Sequence, residues 1–224
     1  MDYKVLVQKG PPYIINNEHC ELINIDGRNG SVTIKDGTYP DIKLPFEVRI
    51  LSKNSTELHS LIDEIIDWLT ISSNNDKLIY DREDVYYIVK RVNFGDIANE
   101  IRAGGTFELD FICEPFKYVL GEHYITLENN TTIYYSGTVP GECNVKIYGN
   151  GNIQLTINDE TVQINNVNEY VELDSKLLLC LNKDKTSKSI DMIGHFPLLT
   201  RGSNCISWTG SVSKVEILLR TAYR

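Results

Sequence analysis

The sequence predicts a mainly β protein in two parts, with one helix, in the first part. Three observations carry this. Short runs alternate apolar and polar residues along most of the chain, the period of half-buried strands. Thirteen tyrosines stand against six phenylalanines and two tryptophans, a bias toward aromatics that pack on a pleated face. One segment alone changes to a helical period, and beyond about residue 122 every candidate element is a strand.

Taken in order, Lys4 to Val7 is a short β-rich run stopped by Gly10-Pro11-Pro12. Cys20 to Ile25 alternates and meets Asp26-Gly27-Arg28-Asn29-Gly30, whose two glycines and Asn29 are expected to supply left-handed turn conformations. Val32 and Ile34 mark the returning strand, Asp36-Gly37 a further turn. Leu44 to Leu51 follows, with Phe46, Val48 and Ile50 on one face. Leu58, Leu61, Ile62, Ile65, Ile66 and Leu69 then recur at three and four residues and form one apolar helical stripe. Asn54 is placed to cap this helix, Glu57 has capping-box spacing, Asp63, Glu64 and Asp67 take the wet face, and Trp68 is expected at the edge of the stripe. Strands resume at Lys77–Tyr80 and Val85–Val92 around the Asp81-Arg82-Glu83-Asp84 hairpin. Ala103-Gly104-Gly105 reads as a loop, Thr106 to Cys113 as an alternating strand, and Glu114-Pro115 as its end.

The division is expected near Lys117–His123, giving domains 1–122 and 123–224. Candidate strands in the second are Tyr124–Leu127, Thr131–Tyr135, Val145–Tyr148, Ile153–Ile157, Thr161–Ile164, Tyr170–Leu173, Leu177–Leu181, Cys205–Trp208 and Val212–Leu219. Asn158-Asp159 reads as a hairpin turn, Gly149-Asn150-Gly151-Asn152 as another turn, and Asn182 to Ser189 as an exposed polar loop. Short strands at this spacing predict a sandwich.

Composition excludes several classes. The formal net charge of −9 and pI near 5.0 oppose a phosphate-neutralising nucleic-acid binder. The acid is uneven: residues 1–122 hold 13 Lys+Arg against 21 Asp+Glu, a net of −8, and residues 123–224 hold 9 against 10, a net of −1. Cys20, Cys113, Cys143, Cys180 and Cys205 are odd in number and without a CxxC pair, so they are expected to be reduced and mostly buried. No charged-then-apolar leader opens the sequence, and no apolar stretch approaches the roughly 18 residues of a membrane span.

Chemistry is equally sparse. His19, His59, His123 and His195 lie in no metal-ligand spacing, and neither a GxSxG elbow nor a P-loop occurs. The carboxylates of 81–84 and 63–67 are sequence neighbours, which read as solvated charge and not as the facing pair of a glycosidase or the spaced ligands of a calcium loop. No catalytic residue, cofactor or metal is expected. The one binding reading from the residues is a saccharide held by Tyr134, Tyr135, Tyr148 and Trp208, although aromatics at strand spacing more often pair across strands.

The order of several stretches resembles the distal tail protein (Dit) family of siphophage tails. Ile25 to Gly30 is similar to that family's Gly-Arg-Asp-Gly turn, with Asn29 in place of the commoner Asp. The helix ending in Trp68-Leu69, then Lys77 to Asp81, the Tyr86-Tyr87 strand, and Phe107 to Tyr118 follow in the family's order. Phe196-Pro197-Leu198-Leu199-Thr200-Arg201-Gly202-Ser203-Asn204 resembles its Phe-Pro, Gly and Asn loop, and an arginine-containing strand ends the chain. The resemblance implies a tail-tube-like β-sandwich or barrel with one flanking helix over 1–122, and a galectin-like or carbohydrate-binding-module-like sandwich over 123–224. It further implies a non-catalytic, homohexameric ring at the distal end of a virion tail, assembled in the bacterial cytoplasm. The ring would join the tail tube protein to the tail-tip or baseplate hub (Tal) protein, contact other baseplate proteins, and let DNA pass without reading its sequence. The acidic bias of 1–122 suits a channel wall that repels DNA. The alternative is a carbohydrate-binding module for host cell-wall glycans.

Overall fold

The structure, a computed structural model, describes residues 5–72, 76–95, 98–100 and 104–224. The chain forms two compact units, residues 1–117 with Arg224, and residues 118–223.

In the first unit β1 (Val5–Lys9) pairs with β4 (Ile42–Leu51), while β2 (Cys20–Asn24) and β3 (Ser31–Lys35) form a separate hairpin. Helix α1 (Ser55–Ser72) precedes β5 (Asp76–Leu78), β6 (Val85–Phe94), β7 (Ala98–Glu100) and β8 (Gly104–Val119). The main sheet runs β1-β4-β8-β6-β5, with β7 paired to β8. Among the described residues this sheet is open, so closure into a barrel is not realised. Alternation along β4 buries Ile42, Leu44, Phe46, Val48 and Ile50 against Leu58, Ile62, Ile65 and Leu69 of α1. Asn54 caps the helix, its Oδ1 accepting the Glu57 N–H at 2.9 Å. Glu57 reaches back as the spacing predicts, but its carboxylate accepts the N–H of Lys53, one residue before the cap.

Two prolines sit inside strands. Pro45 lies two residues past the last β1–β4 rung (Lys9↔Glu47), and Pro115 two past the last β4–β8 rung (Ile42↔Cys113), so neither missing N–H costs a rung on that side. Glu114-Pro115 therefore does not end the strand. The Asn16 side chain instead donates to the carbonyls of Pro115 and Pro40. Gly104 and Gly105 open β8 rather than forming a loop; Ala103 lies outside the described residues. In the β2–β3 turn Gly27 and Gly30 take the left-handed conformation at φ 81°, and Asn29 does not.

The second unit contains β9 (Ile125–Leu127), β10 (Thr131–Tyr135), β11 (Asn144–Ile157), β12 (Glu160–Val167), β13 (Tyr170–Asp174), β14 (Leu179–Asn182), a 3-10 turn at Ser189–Asp191, β15 (Met192–Ile193), β16 (Gly202–Leu218) and β17 (Ala222–Tyr223). Two long antiparallel strands, β11 and β16, organise it. Their one ends pair with β13 and β9, their other ends with β12 and β10. The ladder thus has two halves, β9-β16-β11-β13-β14 and β10-β16-β11-β12-β15, which bury one common core around Ile147, Ile153, Leu155, Leu173, Ile206 and Val215.

Register shifts mark the passage from one half to the other, between Tyr148 and Gly149 and between Asn150 and Gln154. Glycine is required there. A Cβ on Gly149 would lie 2.3 Å from the Ser211 carbonyl oxygen, and one on Gly210, at φ 105°, 2.5 Å from that of Asn152. The segments 149–152 and 209–211, which read as strand breaks, are the bends of two continuous strands. Asn158-Asp159 is the hairpin turn expected, with Ile157 opposite Glu160 and Asn158 at φ 55°. The 182–189 loop is exposed except at its ends: Lys188 is buried, its Nζ donating to Asp191 at 2.9 Å.

Candidate functional site

One face of the first half-ladder carries a connected polar array. Asn144, Lys146 and Tyr148 alternate with buried Val145 and Ile147 along β11. Register sets them beside Asp174, Glu172 and Tyr170 of β13, and sets Lys146 and Tyr148 beside Glu216 and Lys214 of β16. Asp174 is bound by both arms of Arg220, at 2.6 and 2.7 Å, by the Leu177 N–H and by Asn144. Burial alone raises this carboxyl, but those bonds outweigh it and hold it at about 2. Asn144 also donates to Glu172, which accepts from Tyr170 at 2.9 Å and Lys185 at 2.5 Å. Burial raises Glu172 too, and its partners bring it below the usual range.

At the bend this face opens into a cleft of about 450 Å³ lined by Tyr148, Gly149, Asn150, Glu169, Tyr170, Lys183 and the 211–213 segment. The two tyrosine rings meet edge to face, centroids 5.2 Å apart. Each phenol is held: Tyr148 donates to Glu216 at 3.0 Å, Tyr170 to Glu172. Burial, and then those bonds to carboxylates, push both phenols upward in pKa. Asn150 and Asn152 accept the N–H groups of Glu169 and Asn166, tying the loop before Tyr170 to the bulged strand. Glu169 sits at φ 62°, a conformation a non-glycine residue keeps only when its surroundings hold it.

The aromatics singled out from the sequence do not converge. Tyr134 is 69% exposed on β10. Tyr135, its neighbour, is fully buried, with its hydroxyl donating to Val139 and accepting from Ala222. A Cβ on Gly137 or Gly141 would strike that ring, so Tyr135 is a core pillar. Trp208 packs half-buried on the core, its backbone clamped by Asn129. Only Tyr148 lines the cleft. Its partner Tyr170 was not among the candidates, although Tyr170, Glu172 and Asp174 alternate with Val171 and Leu173 in the sequence.

The histidines are exposed; His19 bonds Asp36 at 2.7 Å, and His123 lies 3.4 Å from the Gly121 carbonyl. Asp63, Glu64 and Asp67 face solvent, as does the 81–84 tip, where Arg82 pairs with Asp84. Among the described residues no group of three or more His, Cys, Asp or Glu could hold a metal ion, and no helix is long and apolar enough to cross a membrane. All five cysteines are free: Cys113, Cys143 and Cys180 are buried, while Cys20 and Cys205 are exposed.

Comparison with known proteins gives these features a context. Residues 3–113 match the phage tail protein RIFT-related domain family. The structure is similar to the crystal structure of the SPP1 Dit protein, described as a paradigm of hub adsorption apparatus in phages infecting Gram-positive bacteria. That likeness has a TM-score of 0.75 at 13% identity and covers 96% of this chain and 93% of that one. It is also similar to a chain of the phage P2 baseplate in its activated conformation with Ca, with a TM-score of 0.50 at 10% identity over 99% and 91% of the two chains. No curated protein matches the chain in sequence. Residues 3–113 therefore belong to the phage tail RIFT-related domain family, and the chain as a whole takes the fold of a siphophage distal tail hub protein.

Proposed function

We propose that this protein is a non-catalytic subunit of a homohexameric ring at the distal end of a phage tail. The ring joins the tail tube protein above to the tail-tip or baseplate hub protein below, meets other baseplate proteins at its rim, and passes DNA through its centre. Residues 1–122 form the ring, and residues 123–224 the peripheral sandwich. Subunits are made and assembled in the host cytoplasm. The observation that carries the reading is the likeness to the SPP1 hub protein over nearly the whole chain.

Surface chemistry supports it. The first unit's sheet ends on β1 and β5, two open edges of the kind that ring closure by heterologous contacts would cover. The β2–β3 hairpin exposes Leu22 at 64% and Ile34 at 48%, and Trp68, Val7 and Ile79 rim an apolar groove beside α1. These suit burial against neighbouring subunits. The net of −8 in residues 1–122 suits a wall that repels passing DNA.

Light scattering behind a sizing column, with negative-stain images of the same peak, tests the ring. A hexamer or double hexamer with a central hole is expected. A protein that stays monomeric both alone and when mixed with assembled tail tubes of the same phage refutes it. A ring whose first-unit carboxylates lie on the outside refutes the DNA-channel part alone.

A further inference from the structure

Three asparagines precede a glycine or a serine: Asn29-Gly30, Asn54-Ser55 and Asn150-Gly151. Such an asparagine carries an electrophile, its side-chain amide carbon, beside the backbone nitrogen of the next residue. The reaction between them is intramolecular, so its rate depends on how readily the two atoms meet. A small following residue leaves that nitrogen uncrowded, and glycine also leaves the backbone free to turn.

The fold holds two of the three apart. Asn54 accepts the Glu57 N–H at 2.9 Å, and Ser55 is fixed as the first residue of α1. Asn150 lies in β11 opposite Ser211, its Oδ1 accepts the Glu169 N–H at 3.0 Å, and Gly151 stands opposite Val167. At both places the amide must leave a hydrogen bond, and the backbone an ordered element, before nitrogen and carbon can meet.

Asn29 differs on every count. It lies in the turn between β2 and β3, where residues 20–31 are all exposed. That hairpin belongs to no larger sheet. Among the described residues no hydrogen bond holds the Asn29 side chain. The turn's backbone bond runs from the Arg28 N–H to Ile25 at 3.1 Å, and the nearest rung is Asn24↔Ser31, so neither engages the Gly30 nitrogen. A Cβ on Gly30 would meet nothing within 4 Å, so the segment has room to swing.

We propose that Asn29-Gly30 is a site of spontaneous succinimide formation, the one of the three that the folded chain leaves open. The Gly30 nitrogen gives its proton to base and bonds to Asn29 Cγ, and the side-chain nitrogen takes up protons from solvent and leaves as ammonia. Water then adds to either carbonyl of the ring and opens it. One product is aspartate. The other, isoaspartate, carries the main chain through the former side chain and lengthens it by a methylene. No oxidant or cofactor enters. Both products add a negative charge to the turn, and isoaspartate also alters the link between β2 and β3. Asp26-Gly27 and Asp36-Gly37 can close the same ring only slowly, because an ionised carboxylate is a poor electrophile. The proposal does not depend on the ring of subunits, because every reacting group lies within one turn of one chain.

The test is to age the full chain at mildly alkaline pH and map its peptides by mass spectrometry. Isoaspartate is read independently, by methyl transfer from S-adenosylmethionine through an isoaspartyl methyltransferase. Asn29 should convert at least about tenfold faster than Asn150, the factor that breaking a hydrogen bond and a neighbouring rung imposes on a rate. Asn54 should stay intact. In concentrated urea, which removes the ladder, Asn29 and Asn150 should convert at comparable rates. Asn29→Gln, whose longer side chain needs a larger and slower-forming ring, should remove most of the methylation of the aged folded chain. The proposal is overturned if Asn29 stays intact in the folded chain while it converts in urea, if Asn150 keeps pace with it in the folded chain, or if Asn29→Gln leaves the methylation unchanged.

Discussion

Replacing Arg220 by Met tests whether the polar array holds the second unit together. Arg220 grips Asp174 with two bonds, and the Asp174 side chain is only 8% exposed. Without Arg220 a buried carboxylate keeps the Leu177 N–H and Asn144 but loses its counter-charge, a change that costs roughly 3 kcal/mol. The depressed carboxyl gives a second figure. Asp174 falls from 3.8 to about 2 on folding, worth about 2 kcal/mol at 1.36 kcal/mol per unit. Because its folded pKa is depressed, this contribution is complete above about pH 4 and is lost as the pH falls from there toward 2, about half of it by pH 3. Trp68 and Trp208 lie in different units, so Trp68→Phe leaves Trp208 fluorescence as a reporter of the second unit alone. In urea titrations on that background, Arg220→Met should cost about 3 kcal/mol at pH 7 and clearly less at pH 3. Adding Asp174→Asn should recover part of the loss, since no charge is then left buried. A loss under about 1 kcal/mol at pH 7, or one equal at both pH values, would refute the assignment.

Two further predictions concern the bend and the thiols. Gly210→Ala should destabilise the second unit by about 3 kcal/mol, because φ 105° and the Asn152 carbonyl both oppose a side chain. Gly151→Ala, left-handed but facing open space, should cost only about 1 kcal/mol in the same urea assay. With an aromatic disulfide reagent at pH 8, Cys20 and Cys205 should react promptly and the other three cysteines only after unfolding. Burial pushes Cys113 and Cys143 up to about 12 and Cys180 to about 11.

Local patterns were legible where one face meets one core. The alternation of β4, the Leu58, Ile62, Ile65 and Leu69 stripe and the Asn158-Asp159 turn all appear where the periods place them. Glycine and proline were ambiguous for a physical reason. Glycine marks both chain reversal and close backbone approach, and at Gly149 and Gly210 the second applies. Proline breaks a strand only where a rung needs its N–H, and Pro45 and Pro115 fall beyond the last rung of a neighbouring ladder. The cleft was half legible. Tyr148 stood among the candidates, but its pairing with Tyr170 depends on the β11–β13 register, a property of two segments about twenty residues apart that no local period encodes. The same holds for Arg220, whose partner Asp174 lies 46 residues away.

The two bent strands also govern how the second unit comes into being. Rungs between β11 and β16 join residues 49 apart at one end (157 to 206) and 74 apart at the other (144 to 218). Both halves of the ladder borrow the same two strands, so neither can bury its face until β16 has been synthesised. Closing loops of that size before any rung forms makes folding slow and concerted. A ribosome stalled before residue 202 would therefore release no half-formed sandwich able to mimic a finished surface.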